Sequence, residues 1–288
     1  MWRIAQHAER RPAARAGPVL DLSGPKLRHA FEHLIEAAEA TGGVERYVGG
    51  LALKASLFDE LLGGDRLGAL TESAFYDLCG FIAPVRRRIG AWIGRHGFPA
   101  MRGHLRLLFD DTSDPAGADA RIAAFVACFP PDRAHRWVRD LAAEALHFTA
   151  PERCPLMTRW MWDARTNTGV LREIWHGEEL DRTRIAVADD LACFATLESE
   201  LAGFLRDNGV FRDVPFYIDL LCAHVYAFYI NDRGGHYLRS DFGTAEDPMA
   251  HTRRLLGLDA VDTESGRTRL KLIDGTAHVF GEHRLLRS

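Results

Sequence analysis

The chain has 288 residues, 47% of them hydrophobic and 26% charged, with a formal net charge of −4. That is enough apolar material for one large core, and no apolar run approaches the roughly 18 residues that cross a bilayer. The negative balance argues against broad nucleic-acid binding, which normally uses a basic face to displace phosphate counterions.

The first stretch, MWRIAQHAERRPAARAG, has arginines but no apolar segment of the secretory kind, so residues 1–24 are expected to form a flexible arm on a cytoplasmic protein. Helical spacing then dominates. Lys26 to Thr41 sets Leu27, Ala30, Phe31, Leu34, Ile35 and Ala38 at three-and-four intervals before Gly42-Gly43 stops the pattern. Glu72 to Ile82 carries a second stripe, Pro84 interrupts it, and Val85 to Gly94 continues. Ala118 to Phe129, Asp132 to Phe148 and Glu152 to Ala164 are three more predicted helices, the last two parted by Thr149-Ala150-Pro151. Asp190 to Asn208 is amphipathic with Gly209 as its stop, and Pro215 to Ile230 is apolar enough to lie at the centre of the core.

Near the end the pattern changes to alternation. Arg269 to Ile273 and Ala277 to Phe280 flank Asp274-Gly275, a dipeptide suited to a tight hairpin turn. The predicted organisation is a helical domain over residues 25–235 and a C-terminal extension over 236–288 that carries this hairpin.

Candidate chemistry is sparse. Five cysteines, odd in number and without a CxxC pair, give neither a disulfide framework nor a zinc knuckle and read mostly as small buried groups; no metal or cofactor is expected. Only Lys26, Lys54 and Lys271 are lysines, which limits amine nucleophiles. Arg86-Arg87-Arg88, Arg95, His96, Arg102, His104 and Arg106 form the one dense basic stretch, read as a solvated face with phosphate contact as its functional version. Asp219 and His224 are five residues apart and do not share a helical face, so they make a poor metal pair. Asp232-Arg233-Gly234-Gly235-His236 lacks the Lys-Ser/Thr of a phosphate loop and reads as a turn. No nucleophile-elbow string is present.

The most informative stretch runs from His147 to Glu198. It holds Arg159-Trp160-Met161, a polar turn ending at Gly169, Trp175, and an apolar approach through Ile185 and Val187 to Asp189-Asp190. Val214-Pro215-Phe216-Tyr217-Ile218-Asp219 follows about 25 residues later. This order resembles the helix-hairpin-helix (HhH-GPD) DNA glycosylase superfamily, closest to a divergent branch with an Arg-Trp-Met helix, over roughly residues 120–230. The resemblance implies an all-α, two-lobed fold with a cleft between the lobes and a small β-hairpin beyond it. It implies hydrolysis of an N-glycosidic bond in damaged double-stranded DNA, with Asp189, or its neighbour Asp190, as the carboxylate that stabilises positive charge on the sugar. Trp160, Trp162 and Trp175 would wall a flipped base, with Arg153 and Arg159 among the substrate-binding residues.

Two departures qualify what the resemblance implies. Arg153 stands where bifunctional members carry a lysine, and a guanidinium does not give up its proton, so lyase activity is not expected. Thr149-Ala150-Pro151 has no glycine where the superfamily has a phosphate-binding turn, which favours a free nucleoside or nucleotide as the alternative substrate. A non-catalytic scaffold that keeps the fold is the reading from another class. Beside these stand ordinary roles: Asp at a helix start is a common cap, and large aromatics are mostly core.

Overall fold

A computed structural model describes residues 17–109, 115–177, 183–233, 247–262 and 264–283. The described chain is mostly helical and ends in a small antiparallel hairpin. The helices are α1 (Gly24–Glu39), α2 (Val44–Leu62), α3 (Glu72–Gly80), α4 (Ile89–His96), α5 (Phe98–Phe109), α6 (Ala118–Ala127), α7 (Trp137–Thr149), the single turn α8 (Val170–Glu173), α9 (Leu191–Asp207), α10 (Val214–Arg233) and α11 (Ala250–Leu256). Strands β1 (Arg267–Lys271) and β2 (Ala277–Val279) form the hairpin.

Helix α10 is the axis of the fold. Phe216, Ile218, Leu220, Leu221, Cys222, Ala223, Val225 and Ala227 are all buried, so apolar residues cover most of its circumference, with Asp219 and His224 as buried polar exceptions. It packs against α1, α2, α8, α9 and α11. A second layer is built by α2 on α7, α7 on α6 and α6 on α5. Cys79, Cys154, Cys193 and Cys222 are buried and Cys128 is exposed, all as free thiols.

Local chemistry sets the element ends. Ser23 caps α1, its hydroxyl accepting from the Lys26 amide, and Pro25 sits in the first turn where no intrahelical donor is needed. Gly257 ends α11 at φ +74°, and a Cβ there would collide with the Phe81 carbonyl. That close approach brings the carbonyls of Phe81 and Leu256 onto one buried amine, Lys54 Nζ, at 3.2 and 2.9 Å.

Residues 152–164, expected as a helix, are a chain of turns. Pro151 and Pro155 supply no amide hydrogens, and Asp163 turns the backbone by accepting from the amides of Arg165 and Thr166. The stretch predicted from Asp132 begins instead with a short 3-10 turn (Arg133–His135), α7 starting at Trp137. Helix α4 starts at Ile89 rather than Val85, turns filling the interval after α3. Helices α2, α5 and α11 come from stretches with no clean sequence signal. The hairpin is present, two residues earlier on its first strand than expected. Gly275 adopts φ +82° in the turn, and β1 alternates exposed and buried, with Thr268 and Leu270 inward.

The extension is fastened to the body. Strand β1 packs on α3 and α11 packs on α10. His278 Nε2 on β2 and His283 Nε2 just beyond the hairpin each donate to buried Asp77 on α3, both at 2.7 Å, and the Gly281 amide adds a third donor at 3.1 Å. Of the run Asp232 to His236, residues 234–236 lie outside the described residues, as do 1–16 of the expected arm.

Candidate active site

Helix α1 presents Lys26, His29, Ala30 and His33 on one face, at offsets of three, four and seven. Opposite are His224, Val225, Phe228 and Tyr229 of α10, and Glu173 of α8 and the following Ile174 close one side. These ten residues line a cavity of about 270 Å³. Its edge is held by backbone pairing: Ser23 donates to the Ile174 carbonyl at 2.8 Å, His176 donates to Asp21 at 2.7 Å, and Leu22 bridges Trp175. Lys26 Nζ donates to the Trp175 carbonyl at 2.8 Å.

From the cavity inward, three side chains from three helices form a chain. His33 Nδ1 and His224 Nε2 are 2.8 Å apart, and His224 Nδ1 lies 3.2 Å from the hydroxyl of Thr252 on α11. His224 is 3% exposed and Thr252 fully buried, whereas His33 is only half-buried. Burial, with His33 beside it, pulls the His224 pKa down to about 4, so His224 is neutral at pH 7. A neutral imidazole has one donor and one acceptor, so two arrangements satisfy the chain. Either His33 Nδ1–H donates to His224, which donates to Thr252, or every hydrogen bond runs the other way. The first leaves His224 able to receive from a protonated His33, whose Nε2–H then remains for a ligand. His33 also packs edge-on against Phe228, with ring centroids 5.3 Å apart.

The sequence-predicted residues lie elsewhere. Asp189 is half-buried and ion-paired with Arg139, which also donates to the Asp189 carbonyl at 3.0 Å. Asp190 caps α9, its carboxylate accepting from the Cys193 amide at 3.0 Å. Asp119 accepts from Leu191 at the same helix start, and burial raises its carboxyl pKa. Arg159 pairs with buried Asp140 at 2.7 Å. Trp160 is half-buried against Tyr226, ring centroids 6.1 Å apart. Trp162 is fully enclosed, Nε1 donating to the Val187 carbonyl at 3.2 Å, so its ring offers no open face for stacking. Trp175 does not line the α1–α10 cavity, and its carbonyl accepts from Lys26, which does. Arg153 lines a separate cavity of about 150 Å³ with Arg121 and Cys154. Asp189 and Asp190 are absent from the lining of the α1–α10 cavity, and the tryptophans and arginines do not gather around them.

His29, His33, Glu173, Phe228, Tyr229 and Thr252 were not singled out by the sequence, and Lys26 was noted only as one of three lysines. His29 and His33, four apart on a strong amphipathic helix, were the available signal.

Buried polar groups also lie outside the cavity. Lys54 Nζ is enclosed with Glu144 at 2.7 Å and lies 3.9 Å from the Phe148 ring centroid. Burial lowers the Lys54 pKa against the pull of Glu144, and burial raises that of Glu144. His147 donates through Nδ1 to the Cys154 carbonyl at 2.7 Å and meets Asp219 through Nε2 at 2.8 Å. A carbonyl oxygen only accepts, so Nδ1 holds a proton, and a second proton must lie between Nε2 and the carboxylate. Burial pushes the His147 pKa down, but the charge and hydrogen bond of Asp219 outweigh it and the net direction is up. Glu198 borders the same group and burial raises it to about 7.

Among the described residues, no group of three or more His, Cys, Asp or Glu side chains could hold a metal ion, and no helix is long and apolar enough to cross a membrane. No family model, curated protein or solved structure matches this chain.

Proposed function

We propose that the protein hydrolyses the N-glycosidic bond of a small nucleoside-type molecule in the α1–α10 cavity, with His33 as general acid. The observation that carries this reading is the half-open His33 imidazole, backed by neutral His224 and buried Thr252 on a cavity that also holds a carboxylate and aromatic walls. N-glycoside hydrolysis is the chemistry implied by the resemblance to helix-hairpin-helix glycosylases, and it needs a proton for the departing base and a carboxylate near the sugar. A cavity of about 270 Å³ suits a free nucleoside, and the net charge of −4 also favours a small substrate over a duplex.

In this mechanism the base lies against Phe228 and Tyr229. The C–N bond breaks with its electron pair leaving on the base, which takes the Nε2 proton of imidazolium His33. Water adds to the anomeric carbon and gives its proton to Glu173. His33 is left neutral with its proton on Nδ1, still donating to His224, so no rearrangement of the chain is required during the step. Asp189 has no part in this scheme.

Release of free base from a panel of nucleosides and nucleotides tests the reading. His33→Gln should lower kcat by about 10²- to 10⁴-fold, the range for loss of a general acid. Asp189→Asn should retain turnover within about twofold. The reverse pattern, with lesion-selective binding to a duplex carrying an abasic analogue, would overturn the cavity and restore Asp189 and DNA.

A further inference from the structure

The cavity has a positive end. Lys26 is the one lysine on its wall, Lys54 being buried in the core and Lys271 lying on the hairpin. Its ammonium is held by a neutral acceptor, the Trp175 carbonyl, and no described carboxylate comes within ion-pair distance of it. An ammonium has three N–H groups, so two remain after that bond, on a head whose position the carbonyl has fixed. His29, one turn along α1 and exposed, adds a second nitrogen donor on the same face. The aromatic rings Phe228 and Tyr229 stand on a different helix, α10, so cationic and planar-ring contacts come from separate walls.

We infer that the ligand of this cavity carries an anionic group, and that its class is the nucleoside monophosphate, with the phosphate at Lys26 and His29 and the base at Phe228 and Tyr229. This rests on the proposed use of the cavity by a nucleoside-type substrate and adds the charge the substrate must carry. A phosphate oxygen accepting from Lys26 would receive a charge-assisted hydrogen bond, shorter and stronger than a neutral one. A fixed ammonium loses less conformational freedom on binding than a free one. Among the described residues, Glu173 is the one carboxylate on the wall, and it keeps its proposed role toward the water.

The test is calorimetric titration of the full chain with purine and pyrimidine nucleosides, their 5′-monophosphates and inorganic phosphate alone. At least one monophosphate is expected to bind tenfold or more tightly than its nucleoside, with the advantage shrinking as salt rises. Lys26→Met should erase that ratio and leave nucleoside affinity within about twofold, Lys26→Arg should keep part of it, and Ala30→Phe should block both ligands. Equal affinity of nucleoside and monophosphate, or a ratio that survives Lys26→Met, overturns the inference and leaves the nucleosidase reading intact. Binding of neither ligand, or binding that survives Ala30→Phe, overturns the cavity reading itself. Phosphate binding as tightly as the monophosphate overturns the class, since the base would then contribute nothing.

Discussion

Two histidine pairs lie on either side of α10, and they differ in what faces the imidazole. His147 meets a carboxylate, Asp219, and both are almost wholly enclosed. His33 meets a second imidazole, His224, and one of its edges opens to a cavity. A carboxylate partner in a closed site fixes a proton in place, because moving it would leave an uncompensated buried charge. A neutral imidazole partner does not demand a fixed charge, and it can reverse its donor and acceptor roles without net charge transfer. The first pair is therefore suited to holding the fold together and the second to exchanging a proton with a ligand.

Breaking the closed pair should have the largest effect. Asp219→Ala removes the group that shares a proton with buried His147 and should cost about 3–5 kcal/mol of unfolding free energy, measured by urea titration. Asp219→Asn should cost clearly less, since its amide can donate to Nε2 of a neutral His147. Equal losses from the two would mean that shape rather than proton placement matters at this site.

The open pair predicts a pH dependence of definite sign. His224 has its pKa lowered to about 4 in the folded chain, so the unfolded chain binds the extra proton between there and the ordinary histidine value. Stability from this group is present near pH 7 and is lost as pH falls. At pH 5 the loss should be about 2 kcal/mol. The stability difference between wild type and His224→Gln should shift by that amount between pH 7.5 and pH 5, and a constant difference would refute it.

Glu198 gives the opposite sign on the closed side. Its pKa is raised to about 7, so the folded chain holds the proton that the unfolded chain has lost, and stability falls as pH rises through that range. Glu198→Gln should gain about 1 kcal/mol over wild type at pH 8 compared with pH 5, discounted because the side chain is partly solvated. The smallest energetic effect should come from Thr252→Val, within about 1 kcal/mol of stability. Its readout is spectroscopic: imidazole nitrogen shifts of His224 and His33 should move together, and Thr252→Ser should restore them. Shifts at His224 alone would show that the two rings do not share a proton arrangement.

The sequence was most legible where one helix could be read by itself. α1, α9 and α10 follow from the spacing of Leu27, Phe31 and Leu34, of Phe194, Leu197 and Leu201, and from the apolar run after Pro215. α2 carries Gly49-Gly50 within its span, which dilutes a helical signal that packing on α7 overrides. Residues 152–164 show the reverse error, a stretch expected as a helix that Pro151 and Pro155 prevent. The candidate cavity was hidden for a topological reason. His33 and His224 are 191 positions apart, and Asp219, weighed with His224 because they share a helix, belongs with His147, 72 positions away. The capping role of Asp190 was readable, because a cap is local.

The clamp at Asp77 imposes an order of events. Its carboxylate becomes buried beneath two imidazoles that follow it by 201 and 206 positions. A chain made from its N-terminus exposes α3 long before either histidine exists, so during synthesis Asp77 must wait in water while later helices gather. The hairpin segment thus acts as a late fastening: until residue 283 has emerged, Asp77 on α3 lacks both of its imidazole partners. Such distant pairing slows closure, because loop entropy must be lost before the two hydrogen bonds repay it.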